Sequence, residues 1–168
     1  MMLNLHQASG SLEITGDGYA TILAALIGAI VLVAGFGVQR RAAERERRAA
    51  IYGEAIRAVE DYLEAPFLIL RRENTPAVRR EITTHISEIQ SRIAYYRALL
   101  GVHASEEVAA AYVAFIGAAR TEAGRAMTTA WQSKAIKQGS EVPIHNRFSR
   151  RKSDQALALL TTTMRRQR

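Results

Sequence analysis

The chain contains no cysteine. Disulfide staples, thiolate metal sites and a cysteine nucleophile are therefore all excluded. Proline is scarce, with three in 168 residues, and alternation of β-branched with polar residues is almost absent beyond residue 38. Together with abundant alanine, these shortages describe a helical chain. Signatures of catalysis are lacking too. No glycine-rich loop follows a strand-like segment, which removes the usual phosphate cradles, and no serine or histidine sits in a nucleophile-elbow context. The sequence gives no ground for an enzyme, a cofactor or a metal centre. Glu81, His85 and Glu88 share one helical face at i, i+4 and i+7. A carboxylate-bridged metal bundle needs Glu-x-x-His pairs from two helices. This spacing is Glu-x-x-x-His without a second copy, so the trio reads as a solvated face with an ion-paired histidine. His103 falls in a turn and His145 in a linker, and neither is placed as an oriented base.

A further absence is more telling. From Tyr19 to Val38 there are twenty residues without a charge, an amide side chain or a proline. As a helix rising 1.5 Å per residue, such a run is about 30 Å long, the hydrocarbon thickness of a bilayer. In lipid every backbone polar group must be satisfied within the segment, so a lone run can cross only as a helix. Lysine and arginine are also missing from the first 39 residues, whereas residues 40–48 hold five arginines and two glutamates. A cleaved signal peptide has a basic start and a shorter core. The pattern here predicts an uncleaved signal anchor. Basic residues beside a span stay cytoplasmic. The expected location is therefore the inner (plasma) membrane, single-pass, with the N-terminus outside and the C-terminus inside. Tyr19 stands where an interfacial aromatic would anchor the outer end.

Net charge is +7, but it is unevenly spread. Residues 49–133 hold nine basic and ten acidic groups, while residues 134–168 hold nine basic and two acidic groups. The predicted organisation is a short extracytoplasmic tail over 1–18, a span over 19–38, a cytoplasmic helical bundle over 39–137, and a linker with a basic amphipathic helix over 138–168. The fold class is all-α, with three antiparallel helices plus the short basic one.

Past the anchor, Arg40 to Ala50 consists of strong helix formers. Apolar residues follow at Tyr52, Ile56, Val59 and Leu63, the a/d spacing of a coiled-coil-like helix. Pro66 should kink or end that helix near Ala65. Arg71 to Asn74 reads as a polar turn. Thr75-Pro76 reads as an N-cap followed by proline at the first helical position. Ile82, Ile86, Ile89, Ile93, Tyr96 and Leu100 form the cleanest stripe in the sequence, with Gly101 as the expected C-cap. Ser105 with Glu106 and Glu107 opens the third helix, whose stripe runs Val108, Tyr112, Phe115, Ala119, Ala123, Ala126 and Ala130. Ser153-Asp154 reads as the cap of the last helix, with Leu157, Leu160 and Met164 on one side.

Three surfaces stand out as candidate contacts. Thr21, Gly28 and Gly35, seven residues apart in the anchor, would let two spanning helices approach closely. Phe67, Leu68 and Leu70 belong to a run apolar on all sides, a docking surface or a buried helix end. The alanines from 119 to 130 would admit a close neighbour. These surfaces predict a homo-oligomer or a helical protein partner, hence an interaction or scaffold protein at the membrane. The cationic tail, with Arg147, Arg150, Arg151, Lys152, Arg165, Arg166 and Arg168, suits anionic lipid head groups. Its apolar side would then insert as an amphipathic helix. A membrane-tethered nucleic-acid binder is the alternative use of the same residues. An oligomeric pore is a further alternative, disfavoured because the anchor carries no polar stripe.

Overall fold

The computed structural model of the chain describes residues 16–137 and 148–166, and ahead of residue 35 it describes side-chain surroundings only at positions 28 and 32. Four helices are present: α1 Gly16–Leu70, α2 Pro76–His103, α3 Glu106–Gln132 and α4 Arg151–Arg166. Among the described residues the extended pairing amounts to one isolated parallel bridge, Glu73 to Ile136. Contacts divide the chain into two units, residues 1–46 and 47–168.

The first unit contains the N-terminal part of α1. The backbone of the apolar run is helical there. Its described large side chains are open: Leu32 is 62% exposed, Phe36 68% and Val38 67%. Most side chains of the run, Thr21 among them, lie outside the described residues, as does the whole of 1–15. Among the described residues no helix is long and apolar enough to cross a membrane.

The second unit is a four-helix bundle. Residues 47–70 of α1 contribute Ala55, Ala58, Val59, Tyr62 and Leu63 to its core, and α2 contributes Ile89, Ile93 and Leu100. Val108, Tyr112, Phe115, Ala119 and Ala123 come from α3, Leu160 and Met164 from α4. The isoleucine stripe of α2 and the seven-residue stripe of α3 thus face inward as their spacing demands. Direction follows from the pairings. Ile69 packs with Ile82 and Asp61 pairs with Arg92, so α2 runs against α1. The Tyr112 hydroxyl donates to the Ala55 carbonyl at 3.0 Å, and Ala130 packs with Ile69, so α3 runs alongside α1. Burial of the Tyr112 phenol pushes its pKa upward, with a smaller contribution from Tyr96, so that hydroxyl stays a donor at any physiological pH.

Two local expectations, at Gly101 and Ser153, are corrected. Of the two outcomes expected at Pro66, an end of the helix does not occur, since α1 continues to Leu70. A proline inside a helix costs about 3 kcal/mol. Here it is fully buried among Ala65, Ile69 and Leu70, and that apolar burial offsets the lost hydrogen bond. Gly101 is not a C-cap. The helix runs two residues further to His103, and the cap is Ala104 in an extended conformation, its N–H bonded to the Leu100 carbonyl. No described glycine has a positive φ, so nothing at 101 requires one. Ser153 lies inside α4 and is buried rather than capping it. Arg72 lies in the expected turn, but it is buried, with 8% of its surface exposed. The Thr75 and Ser105 caps, in contrast, form as expected, accepting from the N–H groups of Val78 and Val108.

Arg72 joins two helix ends. Its Nη1 donates to the carbonyls of Ile69 at 2.9 Å and Ala130 at 2.8 Å. Its Nη2 donates to those of Trp131 at 2.9 Å and Ser133 at 2.6 Å. The last carbonyls of a helix lack intrahelical partners and carry its negative pole. One guanidinium therefore satisfies the C-termini of α1 and α3 together while lying 5.0 Å from the Trp131 ring centroid. Replacing Arg72 by methionine should cost about 3 kcal/mol, because two buried and two partly buried carbonyls lose a charged donor. Lysine, without the planar fork, should recover less than half of this. Urea unfolding followed by Trp131 fluorescence measures both. Gly101→Ala should stabilise by about 0.5–1 kcal/mol in the same assay, since the position is helical and open space surrounds the added Cβ.

Candidate functional site

The basic C-terminal segment separates into residues that hold α4 down and residues that face outward. Arg150, just ahead of α4, is turned inward. Its Nη2 bonds the Glu60 carboxylate on α1, Nη1 lies 3.9 Å from Glu64, and Nε lies 3.7 Å from Asp154. Partial burial works against its charge, but the bond and charge of Glu60, with Asp154 and Glu64, raise its pKa further. Arg150 is thus a structural clamp, and its place in an anionic-surface patch is corrected.

Glu122 on α3 makes the second clamp. Its carboxylate accepts from the backbone N–H groups of Lys152 and Ser153, each at 2.9 Å, and from the Ser153 hydroxyl at 2.6 Å. A carboxylate from another helix therefore supplies the N-terminal cap that Ser153 was expected to provide, and it meets the positive end of the α4 dipole. Burial pushes the Glu122 pKa up, but the Ser153 hydroxyl, the two N–H groups and the Lys152 charge outweigh it, so the net shift is downward.

Beyond these clamps α4 returns along α3. Phe148 packs near Ala130 and Trp131, Ser153 meets Glu122, and Leu160 and Met164 enter the cluster that contains Tyr112, Phe115 and Ala119. The Cα traces of α3 and α4 run close together, as alanine side chains permit. Two sequence expectations change as a result. The alanine stripe is buried within the same chain, Ala119 and Ala123 in the cluster with Leu160 and Met164 of α4 and Ala130 against Ile69 and Ile82. The apolar side of α4 is spent on the core, with Leu160 fully buried and Met164 8% exposed, and does not face outward as an inserting helix would. Burying each side chain contributes about 2 kcal/mol.

What faces outward is a groove. Arg125 on α3 and Arg151 and Lys152 on α4 line it, together with Ser149, Ala126 and Phe148. Its volume is about 480 Å3, within the usual range for small-molecule sites. Arg165 and Arg166 are exposed at the far end of α4, while Arg147 and Arg168 lie outside the described residues. Arg125 was not among the residues singled out in the sequence. It reads as one solvated arginine on a polar helix face, and only the fold brings Arg151 and Lys152 beside it.

The other expected surfaces are placed as follows. Leu70 is 5% exposed and packs with Ile69, Ile82 and Ala130. Phe67 sits edge-on to Phe148 with ring centroids 5.1 Å apart. Both serve internal packing, and of the three only Leu68 is open, at 38%. Gly28 and Gly35 are exposed, with nothing within 4 Å of an added Cβ. Glu81, His85 and Glu88 are exposed. Among the described residues His85 has no ion pair, which corrects the paired reading, and no group of three ligand-type residues is arranged to hold a metal ion.

The Glu122 clamp sets a pH dependence. Its pKa is depressed in the folded chain, so the stability it contributes is complete above its ordinary value near 4.5 and is lost as pH falls through the lower folded value. The wild-type chain should lose stability over that acid window, and Glu122→Gln should flatten that part of the profile. At pH 7 the substitution should cost about 1 kcal/mol, the worth of a helix cap. Thermal unfolding at pH 7 and over the acid range measures both. No protein-family model, no curated protein and no solved structure matches this chain.

Proposed function

We propose that this chain is a membrane-anchored, non-enzymatic helical scaffold that self-associates and holds its bundle at the cytoplasmic face of the inner membrane. The uncharged run from Tyr19 to Val38 carries this reading. It supplies enough helix to cross about 30 Å of hydrocarbon. The openly exposed Leu32, Phe36 and Val38 support it, because contiguous apolar surface of this kind calls for lipid or another chain. The five arginines just after the run set the orientation.

Self-association is drawn from the anchor itself. Phe67, Leu70 and the alanine stripe are engaged within the bundle. The remaining candidate face is that of Thr21, Gly28 and Gly35, where the absence of side chains at two positions lets a second helix come close enough for dispersion contacts. The nucleic-acid alternative loses ground, because Arg150 is bound to carboxylates and the cations of α4 are split between its two ends.

The chain should stay in the membrane pellet through alkaline carbonate extraction. Protease added to whole cells should leave residues 47–168 intact. Crosslinking in membranes should trap a dimer or higher oligomer, and Gly28→Leu with Gly35→Leu should reduce it about tenfold. Recovery of the chain in the soluble fraction, or digestion of the bundle from outside, would overturn the anchor. A monomer alone would overturn the self-association.

A further inference from the structure

We propose that the groove between α3 and the start of α4 binds a single phosphoryl group, held by Arg125, Arg151 and Lys152. The inference does not depend on the membrane reading above.

Three observations carry it. First, the carboxylate at the groove is already used. Glu122 lines it, yet its oxygens accept from the N–H groups of Lys152 and Ser153 and from the Ser153 hydroxyl. Second, among the described residues Arg125, Arg151 and Lys152 make no ion pair within 4 Å, whereas Arg40, Arg92 and Arg150 all do. The three cations share one concave site with the single Glu122 carboxylate, so three positive charges against one negative leave an excess of two for an anion to meet. Third, the donors suit the geometry of phosphate. Two guanidinium forks can each present paired N–H groups to its oxygens, with the Lys152 ammonium as a compact third charge. Ser149 adds a hydroxyl. The hydroxyls of Thr121 and Thr129 donate to carbonyls within α3 and so supply no further donor.

The extent of the site defines the ligand. Arg165 and Arg166 lie about a dozen residues along α4, roughly 20 Å away at 1.5 Å per residue, so no continuous track follows a nucleic-acid backbone. The ring of Phe148 is already engaged with Phe67 and offers no free stacking platform of the kind single strands use. Ala126 and Phe148 give the groove an apolar wall beside its cations. The chemistry recognised is therefore a lone phosphoryl group, alone or esterified to a small alcohol. Free phosphate and a phospholipid head group both present it.

Isothermal titration of the detergent-solubilised full chain tests the site, with inorganic phosphate in one arm and glycerophosphoglycerol, the head group of phosphatidylglycerol, in the other. One equivalent should bind per chain, with a Kd of about 1 mM or tighter. Arg125→Gln with Lys152→Gln should weaken it at least about tenfold, and Arg151→Gln alone should weaken it in the same direction. Arg165→Gln with Arg166→Gln removes the same charge at the other end of α4 and should leave the Kd within about twofold. The replaced side chains are exposed and the Lys152 N–H remains on Glu122, so circular dichroism should be unchanged and Tm should fall only by the small part of the clamp that the Lys152 charge supplies. Binding of phosphate alone identifies a free anion as ligand, binding of glycerophosphoglycerol alone identifies the head group, and either supports the site. Saturation by neither probe, or equal weakening by both charge-removing pairs, overturns it.

Discussion

Arg72 brings the C-termini of two helices onto one side chain. Helix ends collect unpaired carbonyls, and two such ends side by side in a core would repel each other. Because α1 and α3 run in the same direction, their C-termini fall together, and the guanidinium lies between them with donors for both. The Trp131 ring covers it from one side, and Arg79 stacks on the same ring at 4.9 Å. The turn that carries Arg72 also pairs through backbone with the segment beyond α3, the Ile136 N–H donating to the Arg72 carbonyl at 3.1 Å. The arrangement of the first three helices at this end of the bundle follows from that one residue.

The opposite problem is solved at the start of α4. There the exposed groups are N–H donors, and the partner is a carboxylate from α3. Arg150 then ties the preceding residue to α1 through Glu60. With both clamps made, Leu160 and Met164 reach the core and α4 completes the bundle. Electrostatics decides where the helix begins, and apolar burial holds it along its length. The strongly basic character of the C-terminal residues is consequently divided. One arginine is consumed in folding, while Arg151, Lys152, Arg165 and Arg166 lie exposed at the two ends of α4.

The two units of the chain present contrasting surfaces. Residues 47–168 bury their apolar stripes among themselves, leaving scattered open side chains such as Tyr95, Val102, Val113 and Leu159. Residues 1–46 keep large apolar side chains exposed in α1. The proposed anchor and scaffold rest on this asymmetry.

Periodicity and cap chemistry were enough to determine the all-helical class, the stripes of α2 and α3, and the starts of both helices at Thr75 and Ser105. These features depend on residues a few positions apart. Whether Pro66 stops a helix, whether Gly101 ends one, and where Arg72 and Ser153 point were decided only by tertiary structure. Pro66 is carried by its own burial, and three of the four carbonyls that bind Arg72 lie about sixty residues along the chain. The same holds for the phosphoryl groove, since Arg125 and Lys152 belong to different helices. Local sequence specifies what each segment prefers, but a charge finds its partner only when distant segments are packed together, and burial then determines whether that pairing outweighs the local preference.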